Sequence, residues 1–181
     1  QEKKRAQESD LAYAELMKRI NSIDKQIEDQ QKAIKKQEMS SCDAIVLELK
    51  EAVDGVTCAT MLGVNLESTF KTLVTIGKSG NYYVFVIPVA ETLSMKKAAV
   101  SVGEKNVEMI PMKDLLKVAG YVHGGCSPIG MKKVFTTVID ETAILFENII
   151  FSGGKIGYFI EVNPMDVEKV IPVSFIDIVE D

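Results

Sequence analysis

The first 41 residues carry a hydrophobic pattern that differs from the pattern of the rest of the chain. Apolar and amide side chains recur there with alternating spacings of three and four residues, at Tyr13, Leu16, Ile20, Ile23, Ile27, Gln30, Ile34 and Gln37. Residues at these spacings lie along one seam of a helix and leave the charged residues on its other faces. The pattern predicts a long amphipathic helix. It is either a coiled coil that forms a homo-oligomer or a single helix packed on its own domain.

From residue 42 onward the hydrophobic pattern has the shorter periods of mixed strands and helices. Two apolar runs at residues 69–77 and 82–89 flank a polar turn at 78–81 and predict a β-hairpin. Helices are predicted at 91–102 and 112–119, each followed by a glycine. The other predicted elements are strands at 134–139, 148–152, 157–162 and 173–178, and a helix that begins at Pro164 and ends near Val170.

Hairpins mixed with helices, without a regular strand–helix–strand repeat, favour an α+β fold over a doubly wound sheet. Composition separates the same two segments as the hydrophobic pattern. Residues 1–41 hold 9 basic and 8 acidic side chains, both arginines, no Gly and no Pro, whereas residues 42–181 hold 12 lysines and 18 acidic side chains. We therefore predict a helical segment at 1–41 and a globular domain at 42–181.

Charge and cysteine content exclude several classes of protein. The net charge of −5 argues against a protein that binds nucleic acid by bulk charge alone. Three cysteines, none in a CxxC motif, exclude a disulfide scaffold and a zinc finger and favour a reducing cytoplasm. Because no apolar run approaches the ~18 residues of a membrane span, we expect a soluble protein without a membrane partner.

Two glycine-rich stretches, at residues 120–130 and 152–157, are the candidates for chemistry. Glycines leave main-chain N–H groups uncovered, and such loops cradle phosphates or developing oxyanions. Lys71 lies inside an otherwise apolar strand, and Lys132 and Lys133 follow the first glycine stretch directly. Together these features fit an anionic ligand such as a nucleotide, although neither stretch has the spacing of a P-loop or of a dinucleotide fingerprint. The alternative is that both stretches are turns that connect strands.

His123 and Cys126 raise the alternative of a cysteine nucleophile activated by an imidazole. Side chains three residues apart in a loop need not meet, and no third group is indicated that would orient the imidazole. Cys58, in contrast, is most simply a small packing residue.

Seven short motifs follow one another in a fixed order along most of the chain. They are FKTLV at 70–74, YVFVIP at 83–88, KKAA at 96–99, VEM at 107–109, GYVHGGCSPIGMKK at 120–133, TVID at 137–140 and SGGK at 152–155. In sequence, order and separation these motifs resemble the YbaK/EbsC family, from about Val53 to Asp181. The resemblance implies a mixed, barrel-like β-sheet with surrounding helices. It also implies a trans-editing deacylase of mischarged Cys-tRNA(Pro), with Cys-tRNA(Cys) as a further substrate, similar to the editing domain inserted in bacterial prolyl-tRNA synthetases.

The chemistry that the resemblance implies makes few demands on the protein. The thiol of the mischarged cysteine attacks its own ester carbonyl, so the protein holds the aminoacyl end and stabilises charge. No cofactor and no metal are implied. The implied partners are the acceptor end of tRNA(Pro) and prolyl-tRNA synthetase, and the net charge of −5 favours recruitment through the synthetase.

Six residues take roles from the resemblance. Lys71 would bind the 3′-terminal phosphate or ribose, Gly124 would present its N–H to the carbonyl or amine, and Ser152 would donate to the substrate end. Weaker candidates for the walls of the pocket are Gly125, Ser127 and Lys155.

The chain departs from the family pattern at three places. Phe159 stands where some relatives have an aspartate, and a tyrosine often found on an early strand of the family has no clear match. Residues 1–41 do not resemble the usual first helix and strand of the family. Two other functions stay open. One is deacylation of Ala-tRNA(Pro), which a substrate lacking a thiol would reveal. The other is a non-catalytic module that binds a nucleotide or the synthetase.

Overall fold

A computed structural model describes residues 45–48 and 55–181 of the chain. Within these ranges the strands are β1 Ile45–Glu48, β2 Phe70–Gly77, β3 Tyr82–Pro88, β4 Val107–Met109, β5 Thr136–Asp140, β6 Ile149–Ser152, β7 Tyr158–Val162 and β8 Val173–Ile176. The helices are α1 Gly55–Leu62, α2 Met95–Ser101, α3 Met112–Val118 and α4 Pro164–Val167, with a 3₁₀ helix at Glu141–Leu145. The helix predicted within residues 1–41 lies outside the described residues.

The described strands form two open sheets. The larger sheet has the order β4-β2-β3-β5-β8, and the smaller one has the order β1-β7-β6. Most neighbouring strands are antiparallel, but β5 pairs in parallel with both β3 and β8. A parallel bridge between Thr69 and Ile150 links the start of β2 to β6 and so joins the two sheets. The predicted α+β fold with a mixed sheet and surrounding helices is confirmed.

The β2–β3 hairpin, at the centre of the larger sheet, agrees with its prediction within one residue. Phe70 pairs with Pro88 at one end and Ile76 with Tyr82 at the other. The turn closes where the Gly80 N–H donates to the Gly77 carbonyl at 2.9 Å. Gly80 has a φ of 87°, a conformation that side-chain-bearing residues rarely adopt, so glycine is required there.

The two faces of the larger sheet carry separate hydrophobic clusters. Side chains alternate along β3, so that Val84 and Val86 belong to one cluster and Phe85 and Ile87 to the other. Helix α3 packs on the first face through Leu115 and Ala119. Helix α2 packs on the opposite face through Ala98 and Ala99. The two helices therefore lie on opposite faces of the same sheet.

Some predicted boundaries differ from the structure for local reasons. The helix predicted from residue 91 begins at Met95, because the Ser94 hydroxyl caps it by accepting from the Lys97 N–H. Leu93, just before this cap, forms a bridge with Val179 instead. Helix α4 begins at Pro164 as expected but ends at Val167 rather than near Val170. Among the described residues, no helix has the length and apolar character that crossing a bilayer requires.

Candidate active site

A cavity of about 380 Å³ lies along the first half of β2. Its walls come from β2, from helices α1 and α3, from the segment after β4, and from both glycine-rich stretches. The three residues predicted to be central, Lys71, Gly124 and Ser152, all line it. The fold therefore brings together three positions that are far apart along the chain.

The cavity lies beside a part of β2 that lacks a neighbouring strand among the described residues. On the side of β2 away from β3, strand β4 pairs with Thr75, Ile76 and Gly77, and β6 meets the start of β2 at the bridge between Thr69 and Ile150. The described strands leave the stretch between these two contacts unpaired. Hydrogen-bonded pairs alternate with non-bonded pairs in an antiparallel ladder. Since the Val89 N–H donates to the Thr69 carbonyl, the odd-numbered residues of β2 bond to β3. The main-chain groups of Thr72 therefore face the open edge.

Lys71 is a half-buried residue on β2 whose ammonium has one hydrogen-bond acceptor among the described residues. Its Nζ donates to the Val89 carbonyl at 3.0 Å, and Val89 also lines the cavity. Burial lowers the pKa of Lys71, and the nearby carboxylate of Glu91 opposes that shift. An ammonium has three N–H donors, so this side chain still offers donors to an anionic group in the cavity.

Gly124 also lines the cavity. It has a φ of 80°, in the left-handed region that favours glycine. None of the described residues accepts a hydrogen bond from its N–H. An uncommitted main-chain N–H beside a cavity is the kind of donor that stabilises an oxyanion.

The two glycine-rich stretches pack against each other. A Cβ on Gly125 would lie 3.1 Å from the Ile156 main-chain nitrogen and 3.3 Å from the Lys155 carbonyl carbon, which is closer than side chains normally approach. The ring of Tyr121 contacts the Gly154 position, and its hydroxyl donates to the Ile129 carbonyl at 2.6 Å. Tyr121 thus fixes the first glycine stretch to the second.

Ser152 ends β6 and brings the second glycine stretch to the cavity. Its main chain pairs with Phe159 on β7. Its Oγ accepts from the Gly154 N–H at 3.3 Å. This contact leaves the hydroxyl proton available for donation to a ligand.

The three weaker candidates lie close to the cavity but not in its wall, as far as the described residues define that wall. Gly125 permits the close approach of the two glycine stretches. Ser127 is buried, and its Oγ accepts from the Ile129 N–H at 3.3 Å. Lys155 is exposed, with its Nζ 4.5 Å from the centre of the Tyr158 ring. In the structure these residues support the site rather than face it.

Cys126 and His123 both line the cavity, but the thiol is not activated. Burial raises the pKa of Cys126 to about 12, so the thiolate that a nucleophile requires is scarce near neutral pH. No aspartate or glutamate occurs among the described residues that line the cavity. The described wall therefore lacks both a reactive thiolate and a carboxylate base.

Several residues that line the cavity carried no signal in the sequence. Val56 and Cys58 come from α1, and Met112 comes from α3. Phe159, where the chain departs from the family pattern, is buried against Cys58 and Ile150 and adds an apolar wall. Such residues look like ordinary packing positions in the sequence, because only the tertiary fold shows that they border a cavity.

Comparisons with known proteins agree with this geometry. Residues 50–170 match the aminoacyl-tRNA editing domain family. EbsC of Enterococcus faecalis (strain ATCC 700802 / V583), named as a candidate Cys-tRNA(Pro)/Cys-tRNA(Cys) deacylase, is 44% identical over 120 residues, which are 66% of this chain and 73% of EbsC.

Two solved structures share the fold at lower sequence identity. One, described as a candidate trans-editing enzyme for prolyl-tRNA synthetase, is 21% identical with a TM-score of 0.70, over 76% of this chain and 87% of the other. A hypothetical protein is also 21% identical, with a TM-score of 0.68, over 76% of this chain and 91% of the other. The match over residues 50–170 and the identity to EbsC assign the family: this chain belongs to the aminoacyl-tRNA editing domain family.

Proposed function

We propose that this protein is a trans-editing aminoacyl-tRNA deacylase that clears Cys-tRNA(Pro), and also Cys-tRNA(Cys). The observation that carries the proposal is the convergence of Lys71, Gly124 and Ser152 on one cavity of about 380 Å³. Family membership and the EbsC relative support the deacylase activity. The name of that relative supports the cysteine specificity, as does a described cavity lining that holds neither an activated thiol nor a carboxylate.

The proposed reaction uses the thiol of the substrate. Its sulfur attacks the ester carbonyl of the same cysteinyl group, a bond forms between sulfur and carbon, and the ester C–O bond breaks. The proton lost by the thiol ends on the ribose oxygen of the tRNA, and cysteine leaves as a cyclic thiolactone. No nucleophile or base from the protein is required, in keeping with a described wall that has neither a carboxylate nor an activated thiol.

Each central residue has a role in this reaction. The Lys71 ammonium binds the terminal phosphate or ribose, because it is the charged donor of the cavity. The Gly124 N–H donates to the carbonyl oxygen as negative charge develops there. The Ser152 hydroxyl donates to the aminoacyl end. Holding the thiol close to its own ester supplies the remaining rate enhancement through proximity.

The deciding experiment measures deacylation of Cys-, Ala- and Pro-tRNA(Pro) by the full chain. We expect Cys-tRNA(Pro) to be cleared while the other two survive, because neither alanine nor proline carries a thiol. Clearance of Ala-tRNA(Pro) at a similar rate would show a specificity for small side chains and refute the thiol mechanism. Absence of deacylation of all three would favour the non-catalytic module.

We also propose that the protein acts in the cytoplasm and reaches its substrate together with prolyl-tRNA synthetase. A net charge of −5 makes strong binding to tRNA by bulk charge unfavourable. Adding the synthetase should therefore lower the KM for Cys-tRNA(Pro). An unchanged KM across saturating synthetase concentrations would contradict this recruitment.

A further inference from the structure

Next to the cavity, one stretch of this acidic chain has more positive than negative side chains. Residues 111–135 contain four lysines and one aspartate, whereas residues 136–181 contain two lysines and nine acidic side chains. The first of these stretches contains helix α3 and the first glycine stretch, both of which line the cavity. The local excess of positive charge therefore lies at the site rather than at random over the surface.

Helix α3 turns two of these lysines outward beside the cavity. Leu115 is buried and lines the cavity, and Met112 lines it while remaining 67% exposed at the rim. Lys113 and Lys117 are exposed and four residues apart, so they lie one above the other on the same face of the helix. At 3.6 residues per turn this face lies about 100° to 140° around the helix from Met112, on the solvent side of the rim and away from Leu115.

The other two lysines follow each other in the sequence, and the first of them, Lys132, is held against the end of the same helix. The Lys132 N–H donates to the Ala119 carbonyl at 3.1 Å, and its Nζ donates to the Leu116 carbonyl at 3.0 Å. A cation at these carbonyls also stabilises the negative end of the helix. Lys133 follows and is exposed. We call Lys113, Lys117, Lys132 and Lys133 the α3 basic strip.

We propose that the α3 basic strip binds the sugar–phosphate backbone of the tRNA acceptor arm while the aminoacylated 3′ end occupies the cavity. The inference rests on the proposed function, because that function places a 3′ end beside Lys71. A nucleic acid whose end enters the cavity must continue across the rim, and phosphates there meet the strip. Lysine ammonium groups bind such phosphates as point charges without reading the base sequence. The strip thus supplies local attraction that the net charge of −5 conceals.

The test compares two double variants that remove equal charge. Lys113→Gln with Lys117→Gln removes half of the strip, and glutamine keeps the helix propensity. The control, Lys96→Gln with Lys105→Gln, removes two exposed lysines, of which Lys96 lies on α2 across the sheet. Binding of uncharged tRNA(Pro) to each full-length protein is measured by fluorescence anisotropy at several salt concentrations. We expect the strip variant to weaken binding about tenfold and to reduce the slope of log K against log salt by about 1.5, as loss of two phosphate contacts requires.

A kinetic comparison separates this inference from the proposed function. The strip variant should lower kcat/KM for Cys-tRNA(Pro) about tenfold and leave kcat/KM unchanged for a cysteinylated CCA trinucleotide, which has no acceptor stem. Unchanged tRNA binding in the strip variant, or an equal loss in the control, would overturn the inference even if deacylation is normal. A loss on the trinucleotide would also overturn it, because the defect would then lie in the cavity. If the wild type binds tRNA(Pro) through the strip but deacylates nothing, only the proposed function fails.

Discussion

At the scale of single residues, the candidate site contains a lysine ammonium, that of Lys71, in surroundings whose burial disfavours a charged group. The Lys71 ammonium is half-buried, and burial lowers its pKa, which shows that the surroundings disfavour the charged form. One carbonyl, that of Val89, accepts from it among the described residues. An anionic group bound in the cavity would supply the missing compensation. The energetic cost of Lys71 in the free protein is therefore consistent with a binding role.

Replacing Lys71 should separate the proposed mechanism from a cysteine nucleophile. We expect Lys71→Ala to lower kcat/KM for Cys-tRNA(Pro) about a hundredfold, the range for losing a preorganised charged donor. Cys126→Ala should change kcat/KM less than about threefold, because a thiol with a pKa of about 12 holds little thiolate. Single-turnover deacylation gives both numbers, and thermal unfolding checks that each variant is folded. Comparable losses in the two variants would favour the thiol as nucleophile.

Two buried hydroxyls on β2 form a natural pair for comparison. The Oγ1 atoms of Thr72 and Thr75 are buried without a hydrogen-bond partner among the described residues, but only Thr72 lines the cavity. Substitution by valine removes an unsatisfied hydroxyl at nearly constant volume, so both variants should gain about 1 kcal/mol of unfolding free energy. Only Thr72→Val should lower deacylation, because Thr72 lines the cavity and a rotation about χ1 would allow its hydroxyl to form a hydrogen bond with a substrate.

Urea denaturation and deacylation assays measure the two effects of the threonine substitutions separately. Thr75→Val serves as the control, since it carries the same chemical change on the same strand. Equal activity of the two variants would show that the Thr72 hydroxyl has no part in substrate binding.

At the scale of elements, the cavity depends on close packing of the two glycine-rich stretches, whose main chains contact each other at Gly125. A Cβ on Gly125 would lie 3.1 Å from the Ile156 nitrogen, a contact tight enough to push that main chain away, whereas a Cβ on Gly153 would meet its nearest neighbours at an ordinary 3.4 Å. Neither glycine has a positive φ, so steric contact alone distinguishes the two positions. The packing of these two stretches holds Gly124 and Ser152 in the same wall.

Alanine substitutions at these two glycines test that packing. Gly125→Ala should cost about 2 kcal/mol of unfolding free energy, as overpacking does, and should lower kcat as the stretches separate. Gly153→Ala should leave both quantities close to those of the wild type. Denaturant titration and deacylation kinetics provide the measurements. A Gly125→Ala protein with wild-type stability would mean that the two stretches are free to move apart.

The sequence predicts those elements whose ends are marked by nearby residues, such as a turn or a glycine. The β2–β3 hairpin and α3 lie within one residue of their predicted bounds, because a polar turn and a following glycine mark their ends. No local signal marks β4, a strand of three residues that depends on pairing with the end of β2. The sequence also does not predict the 3₁₀ helix at Glu141–Leu145, because its N-cap, Asp140, is at the same time the last residue of β5.

The site was predictable only in part, for a related reason. Lys71, Gly124 and Ser152 lie in motifs, so the resemblance to a family assigns them from the sequence alone. The apolar walls come from elements without distinctive residues, such as α1 with Cys58. Their part in the cavity depends on the stretch of β2 that no described strand pairs with between β6 and β4, which is a property of the sheet order and not of any local pattern.

At the scale of the whole molecule, the charge distribution matters more than the net charge. The chain is acidic, yet the face that would meet the acceptor arm contains the α3 basic strip. If the strip binds tRNA as proposed, this arrangement would weaken non-specific binding to nucleic acid and orient the acceptor end toward the cavity. It is compatible with recruitment through a synthetase, because the strip needs only to align a tRNA that is already nearby.

The oligomeric state of the full chain tests the two interpretations of the seam within residues 1–41. If it forms a coiled coil, Ile23→Asp with Ile27→Asp places two carboxylates in the seam and should convert the oligomer to a monomer. Ser22→Asp with Gln26→Asp adds the same charge outside the seam and should leave the oligomer intact. Light scattering after size-exclusion chromatography measures the mass of each protein. A wild-type mass of about 20 kDa at every concentration would instead favour the single amphipathic helix, and the two double variants would then behave alike.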